Sequence, residues 1–101
     1  MYYNVLNASE IVELNSQKMQ KKTLLEDGDS NLNIIALKKD EIIDTHTSSC
    51  NSAVYLIEGQ IEMHFDAHKL LLDEGDILML KKYHEHKVLA LKDSNFLLII
   101  I

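Results

Sequence analysis

The chain has 101 residues, the usual length of one domain built around one hydrophobic core. Apolar residues make up 47% and charged residues 26%, a composition that excludes an intrinsically disordered chain. The net charge is −6, and all ten cations are lysines. An acidic chain without a basic stripe is not expected to bind nucleic acid. The absence of arginine, which binds phosphate through two parallel hydrogen bonds, also disfavours nucleotide sugars and phosphorylated ligands, although lysine can still bind phosphate.

Targeting signals and disulfide bonds are not expected either. The longest apolar run, 96–101, has six residues, whereas a membrane-spanning helix needs about 20. The segment 1–4 has neither a basic region nor a long apolar stretch, so no secretory signal is expected. Cys50 is the single cysteine and cannot form an intrachain disulfide. These observations predict a cytoplasmic protein that does not associate with membranes.

One short helix is predicted near the N-terminus. Asn7 can cap it, and Glu10 stands three residues later at the capping-box position. Apolar residues within 11–14 would form its buried face, and the helix is expected to end by about Ser16. No other segment shows a convincing helical pattern.

The rest of the chain predicts short β-strands separated by turns. The predicted strands are 21–25, 31–37, 41–44, 54–57, 60–65, 69–72, 77–80, 87–91 and 96–101. Each of the three glycines, Gly28, Gly59 and Gly75, falls in a predicted turn, and 66–68 is predicted to be a hairpin tip. Many short strands at regular spacing are typical of an all-β sandwich or barrel. No linker or repeat interrupts them, so residues 1–101 are predicted to form a single domain.

The last predicted strand, 96–101, raises a question of assembly. A strand this apolar would promote aggregation at an exposed sheet edge. Burial in the centre of a sheet or in a subunit interface would avoid this problem. The second possibility is one reason to expect a homodimer.

Two segments resemble the two sequence motifs of the cupin family, in its small single-domain form. The spacing from His46 to Gly59 matches the first motif, and the spacing from Gly75 to His86 matches the second. The most specific pieces are Val-Tyr-Leu-Ile-Glu-Gly, ending at Gly59, and the Glu-Gly-Asp-Ile that contains Gly75. The resemblance covers roughly residues 34–101. It implies a jelly-roll barrel of two antiparallel sheets with an internal pocket.

The same segments depart from the family at its metal-binding positions. Ser48 stands where the first motif has its second histidine, and Ser52 where it has glutamate. Of the four usual ligand positions, His46 and His86 keep a ligand residue. Two imidazoles do not complete a site for zinc, nickel, iron, manganese or copper, because such sites commonly take about three or more protein ligands. The turn of the second motif, 81–83, also lacks the family's proline and glycine.

His84 is the candidate for a third metal ligand. It lies two residues before His86, so in an extended backbone the two side chains share a face. With His46 they would form a three-histidine set. The alternative is that His46 and His86 are polar pocket residues that hydrogen-bond to a ligand or to water. His64 and His68 are predicted to lie on the surface.

The pocket itself is predicted from the alternation of the strands, anchored on the family positions. The residues predicted to line it are Ser48, Ser52, Val54, Leu56, Ile61, Met63 and Val88. They would form apolar walls with a few polar groups at one end, as in many small-molecule sites. The apolar ones could equally well fill the core of so small a barrel.

Four functions are compatible with these residues. The first is a cupin barrel that binds a small molecule without a complete metal site. The alternative is a metal-dependent cupin enzyme, similar to a dioxygenase or isomerase, with His46 and His86 as ligands. A metal-free acid–base catalyst using one of these histidines and a purely structural dimerisation module also remain open. The sequence therefore leaves open whether the protein is an enzyme, and it identifies no catalytic residue.

Overall fold

The computed structural model describes residues 3–11 and 19–101. Within these ranges the chain forms one short helix and nine strands. They are α1 (Ala8–Ile11), β1 (Gln20–Asp27), β2 (Ser30–Leu37), β3 (Ile42–His46), β4 (Ser52–Glu58), β5 (Gln60–His64), β6 (Lys69–Asp73), β7 (Ile77–Leu80), β8 (His86–Ala90) and β9 (Ser94–Ile100). The nine predicted strands are confirmed, with boundaries that differ by a few residues. No helix in the described ranges is long and apolar enough to cross a membrane.

Helix α1 begins at the predicted cap. The Asn7 side-chain oxygen accepts a hydrogen bond from the Ser9 backbone N–H at 3.0 Å, and the Asn7 carbonyl accepts one from the Glu10 N–H at 3.0 Å. These bonds satisfy N–H groups that the first helical turn leaves without a partner. The predicted end of this helix near Ser16 lies outside the described residues.

Two antiparallel sheets form the barrel. The five-stranded sheet has the order β1-β2-β9-β4-β7, and the four-stranded sheet has the order β3-β8-β5-β6. Strands that are adjacent in the chain often lie in different sheets, as in a jelly roll. In this arrangement β7 and β6 each form one edge of their sheet, and these two edges matter for the site described below.

The space between the sheets is filled by apolar side chains. On β4, β5 and β8, every second residue is buried between the sheets, as period-two alternation requires. The core cluster consists of Ile35, Leu37, Val54, Leu56, Ile61, Met63, Leu72, Leu80, Val88, Ala90 and Phe96. The centre of the barrel is therefore a packed core.

Strand β9 lies in the middle of the five-stranded sheet. It pairs with β2 on one side and β4 on the other, so that Leu97 is opposite both Ile34 and Tyr55. The apolar terminal strand is thereby protected from edge-to-edge pairing within a single chain. The apolar character of β9 therefore does not require a subunit interface, and the homodimer stays a prediction.

The turn between β4 and β5 is locked onto the loop before β9. The Ser94 hydroxyl accepts a hydrogen bond from the Gln60 N–H at 3.0 Å and donates to the Lys92 carbonyl at 2.7 Å. Gly59 lies directly against this loop with φ of 92°, and a Cβ there would come within 2.5 Å of the Asp93 carbonyl oxygen. Only glycine satisfies both the backbone conformation and the close approach.

Candidate functional site

The candidate site lies at one end of the barrel, between a hairpin and a loop. The hairpin joins β5 to β6, and its tip is closed by the Phe65 N–H, which donates to the His68 carbonyl at 2.8 Å. The loop joins β7 to β8. It is tied to the segment after β3 because the Tyr83 N–H donates to the Ser48 carbonyl at 2.7 Å and the Lys82 N–H donates to the Asn51 side chain at 2.9 Å.

A cavity of about 880 Å³ opens between the hairpin, the loop and the edge strands β6 and β7. We call it the β6–β7 cavity. Its apolar walls are formed by Phe65, Leu70, Leu78, Met79 and Leu80, and its polar groups come from Asp66, His68, Tyr83, His84 and Glu85. The two sheets are not hydrogen-bonded to each other along these edges. The cavity thus occupies the gap that the fold leaves between them.

A second cavity, of about 560 Å³, adjoins the same hairpin tip and is lined by His86. We call it the His86 cavity. It is more polar, because Thr45, His64, Lys69 and Lys87 line it together with His86. The two cavities share Phe65, Asp66, Ala67, His68 and Glu85. They are therefore neighbouring parts of one region around the hairpin tip.

The tertiary structure brings two of the predicted site residues, His46 and His86, into contact. They are cross-strand partners on β3 and β8, and their ring centroids lie 4.2 Å apart in an edge-on arrangement. The Nδ1 atom of His46 lies 2.8 Å from the Asp44 carbonyl oxygen, and that of His86 lies 2.8 Å from the His84 carbonyl oxygen. A carbonyl can only accept, so each Nδ1 carries the hydrogen. In the neutral ring, the lone pair then lies on Nε2.

The two histidines differ in their exposure to solvent. His86 is only 8% exposed, whereas His46 is exposed. Burial lowers the pKa of His86 below its usual 6.5, partly opposed by the hydrogen bond to the His84 carbonyl, and the nearby His46 and His84 lower it further. His86 is therefore neutral at pH 7. It can accept a hydrogen bond or bind a metal through Nε2.

His84, the predicted third ligand, lines the β6–β7 cavity, whereas His86 lines the neighbouring one, and the role of His84 as a metal ligand stays a prediction. Its ring lies against Phe65, with centroids 5.6 Å apart, and it lines the β6–β7 cavity. Over residues 3–11 and 19–101, no three histidine, cysteine, aspartate or glutamate side chains come together in a group that could hold a metal ion. His46 and His86 supply two imidazole ligands, one fewer than the three protein ligands of a typical catalytic zinc site.

The residues predicted to line an internal pocket lie elsewhere. Val54, Leu56, Ile61, Met63 and Val88 belong to the core cluster, and neither cavity at the hairpin includes them. Ser52 is buried on β4, and Ser48 is half-buried, with its hydroxyl accepting a hydrogen bond from the Cys50 N–H at 3.1 Å. Alternation correctly identified the inward-facing residues, but the open space lies at the barrel end. A role for these seven in ligand binding stays a prediction.

The hairpin and β7 line these cavities, although no sequence pattern pointed to them. His64, predicted to lie on the surface, is half-buried, pairs with the Glu62 carboxylate and lines the His86 cavity. His68 is exposed at the hairpin tip as predicted, but it also lines both cavities. The hairpin tip lies in a turn and carries no alternation signal, and alternation on β5 and β7 shows only which side of the strand faces the core.

Two antiparallel sheets with this strand order, and with cavities at one end, define the protein as a jelly-roll barrel of the cupin type. Solved structures support this assignment. A conserved protein of unknown function from Streptococcus pyogenes is 22% identical, with a TM-score of 0.90 over 100% of this chain and 89% of that one. A cupin superfamily protein from Desulfitobacterium hafniense is 16% identical, with a TM-score of 0.88 over 100% of this chain and 92% of that one.

A third solved structure agrees, an RmlC-like cupin protein from Desulfovibrio desulfuricans. It is 19% identical, with a TM-score of 0.85 over 98% of this chain and 96% of that one. No protein-family model matches the sequence, and no curated protein matches it. At these identities the likeness shows the fold alone, and it confirms the cupin barrel.

Proposed function

We propose that this protein binds a small, largely apolar organic molecule in the β6–β7 cavity, without a complete metal site. The observation that carries the proposal is the cavity itself. Its volume of about 880 Å³ is within the range of about 300–1,000 Å³ typical of small-molecule sites. Its lining also has the usual composition, with apolar walls from β6 and β7 and a few polar groups from the hairpin and the loop.

Binding can be tested by thermal shift against a library of small organic molecules, because a ligand that binds the folded state raises Tm. Ala67 lines both cavities from the exposed hairpin tip, so Ala67→Phe should fill the space without disturbing the core. Asp29→Phe is the matched control, since Asp29 is exposed in the turn between β1 and β2 and lines neither cavity.

We expect compounds that raise Tm in the wild-type protein and in Asp29→Phe to lose their effect in Ala67→Phe. A hit whose effect survives in Ala67→Phe binds elsewhere and would contradict the proposed site. A library without any stabilising compound would contradict the function.

The second candidate is a metal-dependent function, and the His46–His86 pair is the observation that favours it. Both rings have their Nδ1 hydrogen held by a backbone carbonyl, an arrangement that orients metal-binding histidines in many proteins. They would hold a zinc, nickel, iron, manganese or copper ion through Nε2, and the ion would supply Lewis-acid chemistry. The described residues provide no third ligand of the histidine, cysteine or carboxylate type. This incomplete donor set is why the metal-free function is our first proposal.

Elemental analysis separates the two candidates. The untagged protein would be incubated with the five metals, desalted and measured by mass spectrometry, beside a His46→Ala/His86→Ala double variant. His64→Ala is the control, because His64 lines the His86 cavity but pairs with Glu62. A near-stoichiometric metal that is lost in the double variant and kept in the control would support the metal-dependent function. Equal and low metal content in all three proteins would contradict it.

A further inference from the structure

We propose that the ligand of the β6–β7 cavity carries a positive charge, as an amine on an apolar body, and that the Tyr83 ring contacts it. This inference rests on the proposed function and adds the chemical class of the ligand. Two independent features of the cavity carry it, the charge of its lining and the backbone conformation of Tyr83.

The charged residues of the cavity lining are all acidic, histidines aside. Asp66 and Glu85 contribute a formal charge of −2, and no lysine is among the lining residues. The His86 cavity shares both carboxylates but offsets them with Lys69 and Lys87. No lysine lines the β6–β7 cavity, so an anionic head group there would face the two carboxylates, whereas an ammonium group would be attracted. The net charge of −6 acts in the same direction.

Tyr83 adopts a backbone conformation that its side chain opposes. Its φ is 66°, in the left-handed region where a Cβ crowds the backbone and where bulky residues are rare. The turn 81–83 corresponds to the one for which the cupin resemblance predicts a glycine. The hydrogen bond from the Tyr83 N–H to Ser48 is a backbone bond that glycine would make equally well. The turn geometry therefore gives no reason for a tyrosine.

The tyrosine side chain gains little from the rest of the protein. It is 68% exposed, so it contributes little burial. The Lys82 ammonium lies 5.8 Å from the ring centroid, near the limit of about 6 Å for a cation–π contact, and such contacts are weak at exposed sites. The ring does line the β6–β7 cavity. We therefore assign it to the ligand, since an aromatic face attracts an ammonium group.

Asp40 provides the matched control for the backbone. It is the other non-glycine residue with a positive φ in the described ranges, 72°, and its N–H donates to the Ala90 carbonyl at 2.8 Å. It is exposed and lines neither cavity. Asp40→Gly therefore changes a left-handed residue to glycine without altering the site.

The test uses three probes with the same aromatic body and different head groups: phenethylamine, phenethyl alcohol and phenylacetate. Binding to the full chain would be measured by NMR titration, which also shows where each probe binds. The variants are Tyr83→Gly, Tyr83→Phe, Asp40→Gly and the double variant Asp66→Asn/Glu85→Gln. Thermal unfolding of each protein without ligand completes the set.

We expect phenethylamine to bind about tenfold more tightly than phenylacetate and to shift amide signals of the hairpin and of 78–85. The double variant should abolish this preference. Tyr83→Gly should raise Tm while weakening amine binding about two- to fivefold, whereas Tyr83→Phe should bind the amine normally because it keeps the ring. Asp40→Gly should leave binding unchanged.

The possible failures are distinguishable. If the alcohol and the amine bind equally well in this cavity, the proposed positive charge of the ligand is contradicted, but the proposed function is not. If Tyr83→Gly binds the amine as well as the wild-type protein, or if it lowers Tm, the assignment of Tyr83 is wrong. If none of the three probes shifts signals of the cavity, both the inference and the proposed site are contradicted.

Discussion

Replacing Gly59 with alanine should destabilise the fold far more than the same replacement at Gly75. The two glycines have nearly the same backbone conformation, with φ of 92° and 91°. An alanine in this region costs about 1–2 kcal/mol at either position, since the penalty arises from local steric crowding. The surroundings differ, because a Cβ at Gly75 meets nothing within 4 Å, whereas at Gly59 it comes within 2.5 Å of the Asp93 carbonyl oxygen and 2.7 Å of the Ser94 Cα.

Both of these contacts at Gly59 are with backbone atoms, which cannot rotate away. Relief would require the loop before β9 to shift and would strain the hydrogen bond that the Gln60 N–H donates to the Ser94 hydroxyl. Overpacking of this kind costs about 1–3 kcal/mol. We therefore expect Gly75→Ala to lower the free energy of unfolding by about 1–2 kcal/mol. Gly59→Ala should lower it by the same amount plus about 1–3 kcal/mol from the close contacts.

The assay is urea denaturation followed by circular dichroism, with the free energy of unfolding extrapolated to water. The Gly59→Ala/Gly75→Ala double variant serves as a check, since the two losses in the free energy of unfolding should add if the turns are independent. Equal losses for the two single variants would refute the reasoning, because the backbone penalty would then account for the whole effect and the close approach at Gly59 for none of it.

Three further predictions follow from the buried polar groups and the outer face of the barrel. Asn95 is fully buried on β9, and neither atom of its amide has a hydrogen-bond partner among the described residues, whereas the equally buried Asn33 bonds to Thr23, Asn31 and the Leu98 carbonyl. In urea denaturation, Asn95→Leu should therefore lower the free energy of unfolding by less than about 1 kcal/mol or raise it, whereas Asn33→Leu should lower it by about 1–3 kcal/mol. A larger loss for Asn95→Leu than for Asn33→Leu would contradict this prediction. His86 has a lowered pKa in the folded state, so the unfolded chain takes up a proton first as the pH falls through 6.5. The free energy of unfolding should decrease from pH 7 towards pH 5, and His86→Gln should remove part of this slope; an unchanged slope would show that other groups cause it. For the predicted homodimer, Ile77 is 65% exposed on the outer face of the five-stranded sheet, opposite Tyr55 on β4. Sedimentation equilibrium should show a dimer that Ile77→Lys dissociates, and a monomeric wild-type protein would refute the expectation.

The amino-acid sequence by itself determined the fold class and the inward faces of the strands. Val54 and Leu56 on β4, and Ile61 and Met63 on β5, alternate with more exposed residues, and all four lie in the core. The turns that contain a glycine could be predicted equally well, because the positive φ that favours glycine depends only on the local backbone. Alternation and turn chemistry act over two to four residues, so they can be recognised without knowing the partner strand.

The tertiary structure decided which strands are neighbours and where the space lies. The sequence left β9 open to either a central or an interface position, and pairing with β2 and β4 places it in the centre of its sheet. The contact of His46 with His86, the position of His84 in the lining of the β6–β7 cavity, and that cavity itself all follow from the order of strands in two sheets. Strand order arises from contacts between residues far apart in the chain. A local pattern therefore shows which side of a strand faces the core, but the position of a cavity depends on which two sheet edges the whole chain leaves apart.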